Sequence, residues 1–180
     1  LADYSELEPV LKRALDKLAR KPIELESIGP VKVAFGKVTL YPIANGRLAV
    51  GIEAEADAVR GPLSATHGKV WLTALPYNEP GSEVVRVRDL QIFGRTDRAA
   101  VDLLISLFMD QQVVQHIEGA LVQDFNKDYE RVLAAARKAI AERQLGDFRL
   151  NATITGVRHG QVEVTGSGLF MPTEVTGEAT

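Results

Sequence analysis

The sequence contains no cysteine, which excludes disulfides, thiolate metal sites and a cysteine nucleophile. The absence leaves the compartment open. Aromatic residues are scarce, at 6% with a single Trp, so the 46% apolar fraction is mostly Ala, Val, Leu and Ile. An aliphatic interior suits a bound acyl chain and ordinary packing equally. Charge of one sign is also lacking. A net charge of −3 gives no bulk positive field, so no nucleic-acid partner is expected. No apolar run approaches the roughly 20 residues of a membrane span. The chain opens at Leu1 without Met, has no signal-like run, and ends in a strand-like stretch from Val175 to Thr180. It reads as an excised or processed piece of something longer, so the missing signal says nothing about the parent.

Catalytic signatures are missing too. No Gly-x-Ser-x-Gly elbow or phosphate loop is present, and Gly166-Ser167-Gly168 reads as a flexible strand. His67, His116 and His159 are far apart and lack metal-ligand spacing, so they read as exposed or singly hydrogen-bonded. Glu24 with Glu26, Glu53 with Glu55, and Asp124 with Asp128 are paired carboxylates. Their apolar neighbours point the other way, which marks solvated faces or at most a weak surface cation site. No enzymatic activity, cofactor or metal is expected.

What is present is patterning. Ser5 and Glu8 have capping-box spacing before a helix from about Glu6 to Arg20. Pro9 falls in its first turn. Leu7, Val10, Leu11, Ala14, Leu15 and Leu18 make one apolar stripe. Lys12, Arg13, Lys17, Arg20 and Lys21 make that helix basic. This basic surface is either a solvated face or one that meets anionic lipid headgroups.

Strands follow. Val31, Val33 and Phe35 alternate, and the phase flips after Gly36 to Val38 and Leu40, as a bulge would require. Asn45-Gly46 marks a hairpin. Leu48, Val50, Ile52, Ala54 and Ala56 face one way, with Ala49, Gly51, Glu53, Glu55 and Asp57 on a wet face. Gly61-Pro62 is a loop. Lys69–Leu75 and Val84–Phe93 form a further strand pair across a turn.

Thr96 is placed to cap a helix through Met109, and helical spacing resumes from Gln111 to Arg143. Unbroken, that span would be about 50 Å long, against roughly 40 Å across a compact domain of this size. The domain is therefore elongated, or the helix breaks near Gly119 or Asn126; elongation is the expectation. Gly146 ends the helix, and Phe148–Thr155 and Gln161–Phe170 add strands. Hairpin-connected strands and segregated helices give an α+β class with an antiparallel sheet.

Several segments together resemble a large bacterial envelope family, domain-of-unknown-function family 4403. Val38-Thr39-Leu40-Tyr41-Pro42 followed by Gly46-Arg47-Leu48-Ala49-Val50-Gly51 is similar to that family's central hairpin. Gly68-Lys69-Val70-Trp71-Leu72-Thr73-Ala74-Leu75-Pro76-Tyr77 is similar to its element of glycine, strand, small residue, proline and aromatic. Val87-Arg88-Asp89-Leu90-Gln91-Ile92 and Thr165-Gly166-Ser167-Gly168-Leu169 complete the ordered set, which runs from about Val31 to Phe170. Members are typically longer, so the resemblance implies that this chain is a C-terminal half.

The resemblance further implies a relationship to tubular lipid-binding (TULIP-like) proteins. In those, a strongly curved antiparallel sheet wraps around a long helix, and a seam between them admits acyl chains. The expectation is one such domain over residues 1–180, binding or transferring lipid in the periplasm or envelope of a Gram-negative bacterium. Its partners would be an amphipathic lipid and a membrane surface, with an envelope protein or a second copy as further candidates. Periodicity selects Val33, Leu48, Val50, Ile52, Val70, Leu72, Leu104, Phe108, Ile117, Leu121 and Phe125 as lining residues. The competing expectation is a structural or protein-interaction domain with a filled core and an apolar surface patch.

Overall fold

A computed structural model describes residues 1–26, 28–61, 65–93, 100–141, 144–145, 148–149 and 152–179. β1 (Ala2–Asp3) leads into α1 (Tyr4–Leu18). Five strands follow: β2 (Ile23–Leu25), β3 (Gly29–Ile43), β4 (Arg47–Ala58), β5 (Thr66–Tyr77) and β6 (Val84–Phe93). Then come α2 (Ala100–Met109), α3 (Gln111–Ala120), β7 (Gln123–Asp124) and α4 (Asn126–Ala141). The remaining strands are β8 (Gln144–Leu145), β9 (Phe148–Arg149), β10 (Ala152–His159), β11 (Glu163–Val164), β12 (Gly168–Phe170) and β13 (Thr173–Ala179). Strands β2 to β7 form one open sheet in chain order, and every described pairing is antiparallel. The class is α+β, as the patterning predicts.

The β3–β4 hairpin turns where Asn45-Gly46 requires it. Both residues are left-handed (φ 63° and 66°) and Ile43 faces Arg47 across the turn, a conformation these two residue types adopt at little cost. The phase flip at Gly36 is a register shift between Phe35 and Val38. A Cβ on Gly36 would stand 3.0 Å from Glu53. Glu53 in turn accepts a hydrogen bond from the Lys37 N–H at 3.2 Å, holding the extra residue in place.

Helices α1, α2 and α3 cover one face of the sheet, α1 over β3 and α2 over β5, with α3 beside α1. Leu7, Leu11 and Leu15 bury the α1 stripe. The start of α1 differs from expectation. Asp3 is the N-cap and makes no side-chain cap bond. Glu8 reaches away from the helix end to accept from the Leu40 N–H of β3 at 2.8 Å. Pro9 therefore lies in the second turn, where its missing N–H spares the carbonyl of exposed Ser5 for water.

The helix expected through Met109 ends there, and the long one expected from Gln111 onward is divided after Ala120. Asp110 leaves the helical region (ψ 131°) and its carboxylate caps α3 by accepting from the Gln112 and Val113 N–H groups. After Ala120 the chain extends, pairs Gln123–Asp124 with Val84–Val85, and donates the Phe125 N–H to the Glu83 carbonyl. Leu121 and Phe125, at the two ends of this non-helical stretch, both enter the core. Asp124 then caps α4 through the Asn126 N–H at 2.9 Å. Gly119 and Asn126 thus bracket the break. Thr96, Pro62, Arg143 and Gly146 lie outside the described residues.

The C-terminal strands pair otherwise than by simple succession. β10 pairs with β13, while β12 pairs with both β11 and β1.

Candidate functional site

The eleven residues expected to line a groove converge on one seam between helices and sheet. Val33 comes from β3, Leu48, Val50 and Ile52 from β4, and Val70 and Leu72 from β5. Leu104 and Phe108 of α2, Ile117 of α3, and Leu121 and Phe125 from the bend after it belong to the same cluster. Register sets Val50 opposite Leu72 and Ile52 opposite Val70. Phe35, which periodicity did not select, meets Phe108 edge-on at 6.1 Å. None of the eleven is more than 9% exposed, so these side chains fill the seam.

The seam is almost purely apolar. Among the described residues, the buried side chains are hydrophobic apart from Thr66 and Asn78. The Glu8–Leu40 bond is a polar link from α1 to the sheet. Contacts of this kind are non-directional, and parting them leaves few polar groups unpaired.

Open clefts surround this interior. One of about 250 Å³ lies on the outer face of the sheet, lined by Tyr41, Ile43, Ala49, Trp71, Leu72, Thr73 and Phe93. There Trp71 meets Tyr41 edge-on at 5.3 Å and carries the Lys69 ammonium 4.4 Å from its ring centre. Trp71 also sits opposite Gly51 and covers it, so the face expected to be wet at Ala49 and Gly51 is buried. From Glu53 onward the expected alternation holds. A second cleft of about 530 Å³, lined by Lys17, Leu18, Arg20, Lys21, Pro22, Ile23, Glu24, Gln112 and His116, opens at the C-terminal end of α1. A third, of about 280 Å³, includes Leu1, Phe125, Tyr129, Val132, His159, Phe170 and Met171. Among the eleven, Leu72 and Phe125 border these openings; the others lie deeper.

The paired carboxylates are exposed, as expected. No group of three or more His, Asp or Glu side chains among the described residues is placed to hold a metal ion. His67 and His116 are exposed. His159 is not. Its ring is 9% exposed, Nε2 lies 3.1 Å from Glu83 Oε1, Nδ1 lies 3.3 Å from Thr173 Oγ1, and Tyr129 stacks edge-on at 4.8 Å. Carboxylate, imidazole and hydroxyl in a row can relay a proton. Here the hydroxyl contact is long and Thr173 is exposed, so the row serves as a clasp joining β10, β13 and the start of β6. Positions 83, 159 and 173 carry no shared spacing from which it could have been read.

Tyr4, buried beside this C-terminal layer, donates its hydroxyl to the Thr165 carbonyl at 2.7 Å. Burial raises its pKa above the usual 10.0, because the anion would lose water.

Compared with known proteins, residues 2–180 match a family model described as a domain of unknown function (DUF4403). No curated protein and no solved structure matches the chain.

Proposed function

The chain belongs to the DUF4403 family, and we propose that it is a non-catalytic module that binds the acyl portion of an amphipathic lipid in a bacterial cell envelope. The observation that carries this reading is the helix–sheet seam, where aliphatic side chains of α2 and α3 share one core with those of β4 and β5 and few polar links cross it. An inserted acyl chain would exchange one apolar contact for another. At about 0.8 kcal/mol per buried CH₂, ten methylenes offset about 8 kcal/mol of seam opening. On this reading the chain is a TULIP-like domain whose sheet wraps the helices. It would form the C-terminal part of a longer periplasmic or envelope protein of a Gram-negative bacterium, handing lipid between membrane surfaces.

The test is native mass spectrometry of the purified chain, with organic extraction of whatever co-purifies and uptake of a fluorescent fatty acid. The expected result is one amphiphile per chain, lost in Leu121→Trp or Ile52→Trp proteins whose circular dichroism is unchanged. Protein that carries nothing and takes up no added acyl chain would sink the proposal.

A specific observation favours a second reading, a structural or protein-docking domain. The seam is filled by its own residues, while Phe93 is 71% and Tyr41 41% exposed on the outer face of the sheet. Under that reading the outer cleft, and not the seam, receives the partner, which is an envelope protein or a second copy of the chain.

A further inference from the structure

The cleft between the end of α1 and α3 gathers positive charge from one side. Lys17 stands in the last turn of α1, and Arg20 and Lys21 in the turn that follows. None of the three has an ion-pair partner among the described residues, whereas Lys12, one helical turn back, is paired with Asp16. The facing wall is α3, which contributes Gln112 and His116. His116 Nδ1 lies 2.8 Å from the Gln112 carbonyl. A carbonyl only accepts, so Nδ1 carries the proton, and Nε2 has no bonded partner among the described residues. Glu24 is the acidic group on the lining.

Three full cations against one carboxylate and the half-charge of a helix C-terminus leave the cleft positive. Its floor is apolar: Leu18 is half-buried, and Ile23 is 3% exposed and part of the core cluster. A ligand fitting this arrangement has an anionic group at the rim and a hydrocarbon beneath it.

We propose that this cleft binds a phosphate-bearing group, and that the group is the headgroup of an anionic lipid whose acyl chains continue over Leu18 and Ile23 toward the seam. The phosphate part stands on the cleft alone; the lipid part rests on the proposed function. Arginine and lysine gather phosphate oxygens through charge-assisted hydrogen bonds, and the strength of such a site falls with ionic strength.

The test is isothermal titration of the intact chain with dihexanoyl phosphatidic acid, dihexanoyl phosphatidylcholine and inorganic phosphate, each at low and raised salt. The variants are Arg20→Gln/Lys21→Gln and, as a second design, Lys17→Gln; all three positions are exposed. Phosphatidic acid is expected to bind tighter than either other probe, and the double variant to weaken it by about tenfold or more at low salt. Phosphatidylcholine should be unaffected by the substitutions. Inorganic phosphate binding as well as phosphatidic acid would keep the anion site and overturn its lipid assignment. Equal binding of the two lipids, unchanged by the substitutions, would overturn the headgroup site and leave acyl-chain binding intact. No binding of any anionic probe overturns the inference, whatever fatty-acid uptake shows.

Discussion

Asn78 is a polar side chain at 4% exposure, and its amide makes three bonds. It donates to the carbonyls of Ser82 and Gly160 and accepts from the Val162 N–H at 2.8 Å. Asn78→Leu keeps the volume and strands those partners, so urea unfolding should show a loss of about 2–3 kcal/mol. The Val162 amide should also exchange faster with solvent; unchanged stability would mean that water replaces the amide. Tyr4 makes a different prediction. Its folded pKa is raised, so the neutral form is favoured by the fold. That contribution is complete below the unfolded value of 10.0 and is lost as pH rises through the folded pKa. Thermal stability should therefore fall above about pH 10, and Tyr4→Phe should remove this alkaline component while costing about 1 kcal/mol at neutral pH. Neither residue was singled out in the sequence. A lone Asn in a Pro-rich turn has one partner four residues on. Its other two, like the partner of a Tyr near the N-terminus, lie more than 80 positions away, beyond the reach of local pattern. His159, expected to be exposed or singly hydrogen-bonded, instead meets both Glu83 and Thr173, of which Glu83 is far off in sequence.

At the scale of elements, local chemistry was the legible part. The Asn45-Gly46 turn, the bulge at Gly36 and the β6 bounds Val84–Phe93 follow from φ preference and period-two alternation. The break between Met109 and Gln111 was legible in place, and a capping carboxylate at Asp110 makes it. The break after Ala120 was harder, because apolar spacing continues through it and a two-residue strand pairing overrides it. Asp110→Ala should thus cost about 1 kcal/mol by chemical denaturation. If α2 and α3 instead fuse into one rod, helical signal at 222 nm should rise. On the outer sheet face, a Cβ at Gly51 would fall 2.3 Å from the Trp71 ring. Gly51→Ala should lift that ring off the sheet, red-shift the emission of this sole tryptophan and cost about 1–3 kcal/mol. Unshifted emission would show that the strands slide instead.

For the whole molecule, the α+β class was readable and the pairing of distant strands was not, since β10 finds β13 and β1 finds β12 through contacts that no window of sequence contains. The candidate seam was legible as a set of apolar positions, because inward-facing strand residues and helix stripes each keep their period. Whether such a set encloses space or fills it depends on how side chains interlock, which periodicity does not encode. One pairing has a consequence in time. Ala2 lies opposite Leu169, and a side chain on Gly168 would meet the Ala2 carbonyl at 2.2 Å. Joining these ends closes a loop that spans nearly the whole chain, and the entropy of that closure is offset only once the intervening layers are in place. On the ribosome β12 emerges long after α1, so β1 stays unpaired until the C-terminal strands follow, although β3 and α3 can already cover the leucine stripe of α1. A translational pause or a holding chaperone would act in that interval.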